Sequence, residues 1–182
     1  MAEAESHHTL DLPVFESAPK VLIVAAPYYR DIAEGLLAGA RTMLERAGAL
    51  HETVAVPGAL EIPSAIAIAH RHAQFDGYVA LGCVIRGETT HYDTVCNDSS
   101  RGLMLLGLQG AAIGNGILTV ENRAQALVRA DPTGGDKGGG AAAAALHLIA
   151  LFRRYALSRK GIGFRPGGGT RLAGEPDGGE TA

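Results

Sequence analysis

Continuous apolar runs alternate with amphipathic stretches along most of this chain. Val21-Leu-Ile-Val-Ala25 is apolar throughout, the pattern of a parallel strand buried on both faces. Ile32, Leu36, Leu37, Ala40, Met43, Leu44 and Ala47 follow at helical spacing, and Gly48 is the expected stop. A second strand is predicted over Thr53–Val56. The next helix carries Pro63, tolerable only near the first turn, then Ile66 and Ala69. Tyr78–Val84 reads as the third strand and Tyr92–Leu108 as the third helix. Ile113–Thr119 reads as the fourth strand, with Thr119 the expected cap of a helix running through Ala126 and Arg129. The last helix, over 139–155, is apolar on nearly every face, a pattern of burial on more than one side.

The order βαβαβαβαα predicts a doubly wound parallel sheet with helices on both faces. This single domain is expected over residues 20–157. Residues 1–19 are polar and contain Pro13 and Pro19, which predicts an extended arm. The apolar stretch from Leu12 to Phe15 offers that arm a way to join a sheet edge, a neighbouring subunit's included. Residues 158–182 hold eight Gly and two Pro with little to bury, which predicts a flexible tail.

Composition changes this picture in three places. Aromatic residues are 5% of the chain and Trp is absent, so Ala, Val, Leu and Ile must build the core. The net charge is −3 with no dense basic run, which argues against a nucleic-acid partner. Cys83 and Cys96 form no zinc-ligand pattern and read as small packing residues rather than a disulfide; no metal is expected. The stretch Met1–His8 has no basic start followed by an apolar run, so no signal peptide is expected. The most apolar helix contains His147 and ends in Arg153 and Arg154, which argues against a membrane span. A cytoplasmic location follows.

Ligands of open α/β sheets sit beyond the carboxyl ends of the strands. There the chain carries Pro27-Tyr-Tyr-Arg30, Pro57-Gly-Ala-Leu-Glu61 and Ile85-Arg-Gly-Glu-Thr-Thr-His91. In the third segment Gly87 allows a close turn, and the following N–H groups open a helix, where orphan donors and the dipole favour an anion. Thr89 and Thr90 add hydroxyls, and His91 carries protons near neutral pH. The plainer alternative is a Thr cap with a surface His. Tyr28 or Tyr29 offers a stacking face for a flat heterocycle. Glu61 either favours a helix dipole or accepts hydrogen bonds from a polyol. Arg129 either completes the end of its helix or clamps a phosphate. Gly134-Gly-Asp-Lys-Gly-Gly139 lacks the Ser or Thr and the leading strand of a P-loop. The first strand is followed by no glycine fingerprint, so nucleotide and dinucleotide sites are disfavoured.

Taken together, Val56-Pro-Gly-Ala-Leu-Glu-Ile-Pro63, Leu81-Gly-Cys-Val-Ile-Arg-Gly-Glu-Thr-Thr-His-Tyr-Asp93, Gly116-Ile-Leu-Thr-Val-Glu-Asn122 with Gln125-Ala126, and Asp136-Lys-Gly138 resemble the 6,7-dimethyl-8-ribityllumazine synthases of riboflavin biosynthesis. The resemblance spans about residues 20 to 155. It implies a flavodoxin-like, four-stranded parallel sheet and a transferase that needs no cofactor. The implied reaction joins 5-amino-6-ribitylaminouracil to 3,4-dihydroxy-2-butanone 4-phosphate. By that likeness Tyr28 stacks on the pyrimidine with Tyr29 beside it, and Gly58, Ala59, Leu60 and Glu61 hold the ribityl chain. Cys83, Val84 and Ile85 would line the ring pocket. Gly87, Glu88, Thr89 and Arg129 would bind phosphate, His91 would move protons, and Lys137 would lie near polar groups of the substrate. Asn115 stands where many relatives carry an aromatic residue from the adjoining subunit, a departure that makes one wall less apolar. The resemblance also implies a homopentamer with sites at subunit boundaries, in some members an icosahedral shell of pentamers, and riboflavin synthase as functional partner. Two other readings compete: a riboflavin synthase on the same fold, whose substrate has no phosphate, and a non-catalytic or weakly active flavin- or lumazine-binding, shell-forming paralogue.

Overall fold

In a computed structural model, residues 10–160 are described, with side chains through Ala156. The elements are β1 (Lys20–Ala25), α1 (Arg30–Arg46), β2 (Leu50–Ala55), α2 (Glu61–His72), β3 (Gly77–Ile85), α3 (His91–Leu108), β4 (Ile113–Val120), α4 (Arg123–Ala130) and α5 (Lys137–Lys160). The expected nine-element alternation is present. All strand pairings are parallel and the sheet order is β2-β1-β3-β4.

β1 is apolar throughout because it lies inside the sheet with a helical layer on each face. Val21, Ile23 and Ala25 pack with Leu36, Leu44, Leu146 and Ile149 on the side of α1 and α5. Leu22 and Val24 pack with Ile62, Ile66 and Leu103 on the side of α2 and α3. Tyr78, the largest fully buried side chain, belongs to the second cluster, where the ring of His70 meets it edge-on at 5.7 Å. The edge strand β2 leaves most of its side chains exposed.

Two local expectations are revised. The cap of α4 is Asn122, whose side chain accepts from the Gln125 N–H at 3.0 Å, and not Thr119. Thr119 stays inside β4 because the ladder runs on to pair Ile85 with Val120. α5 begins at Lys137 and reaches Lys160, so it is longer at both ends than its apolar stripe predicts. Its start follows from Asp136, whose carboxylate accepts from the Gly139 N–H at 3.0 Å, a capping bond that a short acidic side chain provides. Glycine at 138 suits the packing there, since a Cβ would overlap the carbonyl of Leu36 on α1. Leu12 and Phe15 pack against the first core cluster, and Arg153 donates to the Ser17 carbonyl at 2.7 Å. Gly48 does stop α1, with a φ of 67° that favours glycine. The tail beyond Lys160 and residues 1–9 lie outside the described residues.

Candidate active site

In this strand order the chain reverses direction across the sheet between β1 and β3. The loops after those strands diverge there and leave a crevice, the usual ligand position in such folds. The crevice is a cleft of about 410 Å³. Tyr28 and Tyr29 wall one side, their rings 5.0 Å apart and nearly perpendicular. Tyr28 is 74% exposed, whereas Tyr29 is half-buried. Gly58, Ala59, Leu60 and Glu61 form the second wall, where the chain turns from β2 into α2. The Glu61 N–H donates to the Gly58 carbonyl at 3.2 Å and fixes that turn.

Cys83, Val84 and Ile85 make the floor, being the last residues of β3. Burial pushes the Cys83 thiol up to about 11; nearby Arg123 opposes the shift and Asp31 adds to it. The group is therefore a neutral, weakly polar surface at neutral pH and no thiolate nucleophile. Cys83 and Cys96 are both free. Gly87, Thr89 and His91 close the far wall. His91 is the first residue of α3. Thr90 precedes it at the cap position but makes no side-chain capping bond, and His91 itself is exposed. Without that bond the first turn of α3 keeps donors for an anion. A Cβ at Gly87 would meet nothing within 4 Å, so the close turn expected there is not a steric demand.

Twelve of the expected site residues thus meet in one cleft. Glu88 is exposed on the same loop without lining it. Asn115, Arg129 and Lys137 lie elsewhere, around a shallower depression on the flank of β4 with Thr119 and Gly140. Arg129 donates to the Gln125 carbonyl of its own helix at 3.1 Å, and Asn115 accepts from the Ile117 N–H at 3.0 Å. Within one chain the expected phosphate set is therefore split. Tyr92 and Val95 also line the cleft and escaped the sequence reading. Val95 was legible in principle, since it follows His91 by one helical turn. Among the described residues no cluster of His, Cys, Asp and Glu could hold a metal.

A sequence model of 6,7-dimethyl-8-ribityllumazine synthase matches residues 18–153. The chain belongs to the lumazine synthase family. Its similarity to curated members extends over nearly their whole length. The 6,7-dimethyl-8-ribityllumazine synthase of Jannaschia sp. (strain CCS1) is 57% identical over 168 residues, covering 92% of this chain and 94% of that protein. The enzyme of the same name from Novosphingobium aromaticivorans is 58% identical over 136 residues, 75% of this chain and 98% of that protein. That of Sphingopyxis alaskensis is 58% identical over 137 residues, with 75% and 97% covered. The match begins beside β1 and ends inside α5, so it takes in every element that lines the cleft.

Proposed function

We propose that the chain is a cytoplasmic transferase that condenses 5-amino-6-ribitylaminouracil with 3,4-dihydroxy-2-butanone 4-phosphate, releasing phosphate, water and 6,7-dimethyl-8-ribityllumazine. The observation that carries this reading is the convergence of an aromatic wall, a Gly-Ala-Leu-Glu turn and a His-bearing helix start in one cleft of a chain from this family. The pyrimidine stacks on Tyr28, and the ribityl chain lies along residues 58–61. Glu61, at the first turn of α2, accepts hydroxyl hydrogen bonds. The phosphate sits at the start of α3 among Gly87, Glu88 and Thr89, and His91 moves protons as the imine forms and the ring closes. Holding both substrates in one cleft supplies the proximity.

Arg129, Lys137 and Asn115 join this site from a neighbouring copy. Their separation from His91 within one chain supports that reading, as does the apolar surface left open on α5. Leu148, Leu151, Phe152 and Tyr155 are exposed there, although the helix is apolar on nearly all sides. A homopentamer is proposed. The competing paralogue without catalysis gains no support from a cleft that keeps its His. Among the described residues no helix is long and apolar enough to cross a membrane. The deciding experiment is an assay with both substrates, following the lumazine by fluorescence and phosphate in parallel. Equal release of product and phosphate is expected; a folded, oligomeric protein that yields neither would overturn the proposal.

A further inference from the structure

We propose that Arg86 is a positioning residue that buckles the 87–91 segment into its anion-binding shape and does not itself bind the phosphate. The inference rests on the substrate reading above, but the geometry behind it is independent. Among the described residues no hydrogen bond holds Gly87, Glu88 or Thr89. Gly87 has open space where a side chain would stand. The segment is therefore held at its ends. At its start, the Arg86 N–H donates to the Val120 carbonyl at 2.9 Å, the last rung between β3 and β4. At its far end, the Asp93 and Thr94 N–H groups return to the Thr90 carbonyl.

The Arg86 side chain ties these ends together. Its Nε donates to Glu121 Oε2 at 2.8 Å, on the connector after β4. Its Nη1 donates to Asp93 Oδ1 at 3.4 Å, in the first turn of α3. The guanidinium also lies 4.1 Å from the centre of the Tyr92 ring, in cation–π contact. One planar group thus bridges the strand end, the connector and the helix start. Arg has the fixed fork and the stacking face that this needs, and Lys has neither. Each exposed ion pair contributes little to stability alone. Holding three partners at once nonetheless restricts where α3 begins relative to β3. With two carboxylates already on its one charge, Arg86 is poorly placed to receive a phosphate as well.

The sign of one comparison separates positioning from direct binding. In Arg86→Met the KM for the butanone phosphate should rise about tenfold, the loss of one charge-assisted contact's worth of order, with the pyrimidine KM nearly unchanged. Inhibition by inorganic phosphate should weaken in parallel. In the double variant Asp93→Asn, Glu121→Gln, which keeps Arg86 but removes its anchors, the same KM should rise too. If instead that KM holds or falls, Arg86 is a phosphate ligand freed from its counter-charges and the proposal is overturned. Amide hydrogen exchange across 87–92 supplies a readout that needs no turnover. Faster exchange is expected in both variants, and unchanged exchange would equally overturn the buckle. Absence of product from the unmodified protein would count against the substrate reading alone, since the exchange measurement would still decide the role of Arg86.

Discussion

At the residue scale, side chains of the same site take different tasks from their surroundings. Cys83 is the clearest case, because desolvation keeps its proton on. An acid whose pKa is raised in the folded state, here to about 11, binds its proton more tightly folded than unfolded. Folding stability must then fall as pH rises from the ordinary thiol range towards 11. Urea midpoints measured across that window should drop, and Cys83→Ala should remove part of the drop; an identical slope in the variant would place the cause elsewhere. For His91, replacement by Ala should lower kcat more than it raises either KM, because a proton carrier acts in the transition state. Loss confined to affinity would make it a positioning group. For Arg129, replacement by Ala should raise the KM for the butanone phosphate by one to two orders of magnitude, as expected for about 1.5–3 kcal/mol from a hydrogen bond to a charged group. An unchanged KM would remove Arg129 from the phosphate site.

At the element scale, the ends of the helices decide which residues reach the cleft. α4 is set by a reciprocal pair: Asn122 accepts from the Gln125 N–H, while the Gln125 side chain accepts from the Glu121 N–H at 3.0 Å. That pair fixes Glu121, which in turn holds Arg86. Asn122→Ala should therefore destabilise the fold by about 1 kcal/mol, the usual loss at such a cap, read from denaturant unfolding. Loss of the buckle on Arg86 would add a rise in the KM for the phosphate-bearing substrate. The junction of α1 and α5 is set by small residues instead. Gly138→Ala should destabilise by about 1–3 kcal/mol through overpacking against the Leu36 carbonyl, with a lowered unfolding midpoint as the measure.

At the scale of the whole molecule, the sheet order separates the cleft from Arg129 and Lys137. β4 is the edge strand opposite β2, and the depression that these cations line opens on its flank. A site completed between copies makes a specific prediction. His91→Ala and Arg129→Ala proteins, each impaired alone, should regain activity when unfolded together and refolded as a mixture, because some boundaries then combine intact residues from both. No recovery in mixed assemblies would confine the site to one chain. Sedimentation velocity should give a mass five times that of one chain, or a multiple of that. Leu151→Asp, on the exposed apolar row of α5, should shift it downward.

Much of this was legible along the chain. The continuous apolar run of β1, the helical stripe of α1 with its glycine stop, and the alternation of elements follow from local spacing, since burial on two faces, on one face, or on none leaves a different period. The cleft loops were legible as well, because the carboxyl ends of parallel strands face one side of any such sheet. Chain order alone could not say that β4 runs past Thr119, because that depends on the pairing of Val120 with Ile85 across the ladder. Nor could it place α5 from Lys137, where the Asp136 cap and the close approach to α1 outweigh three successive glycines. The division of the expected phosphate set was likewise hidden, for it depends on which strand occupies the edge. Spacing along a chain reports what each segment buries; only tertiary packing decides which segments stand next to one another.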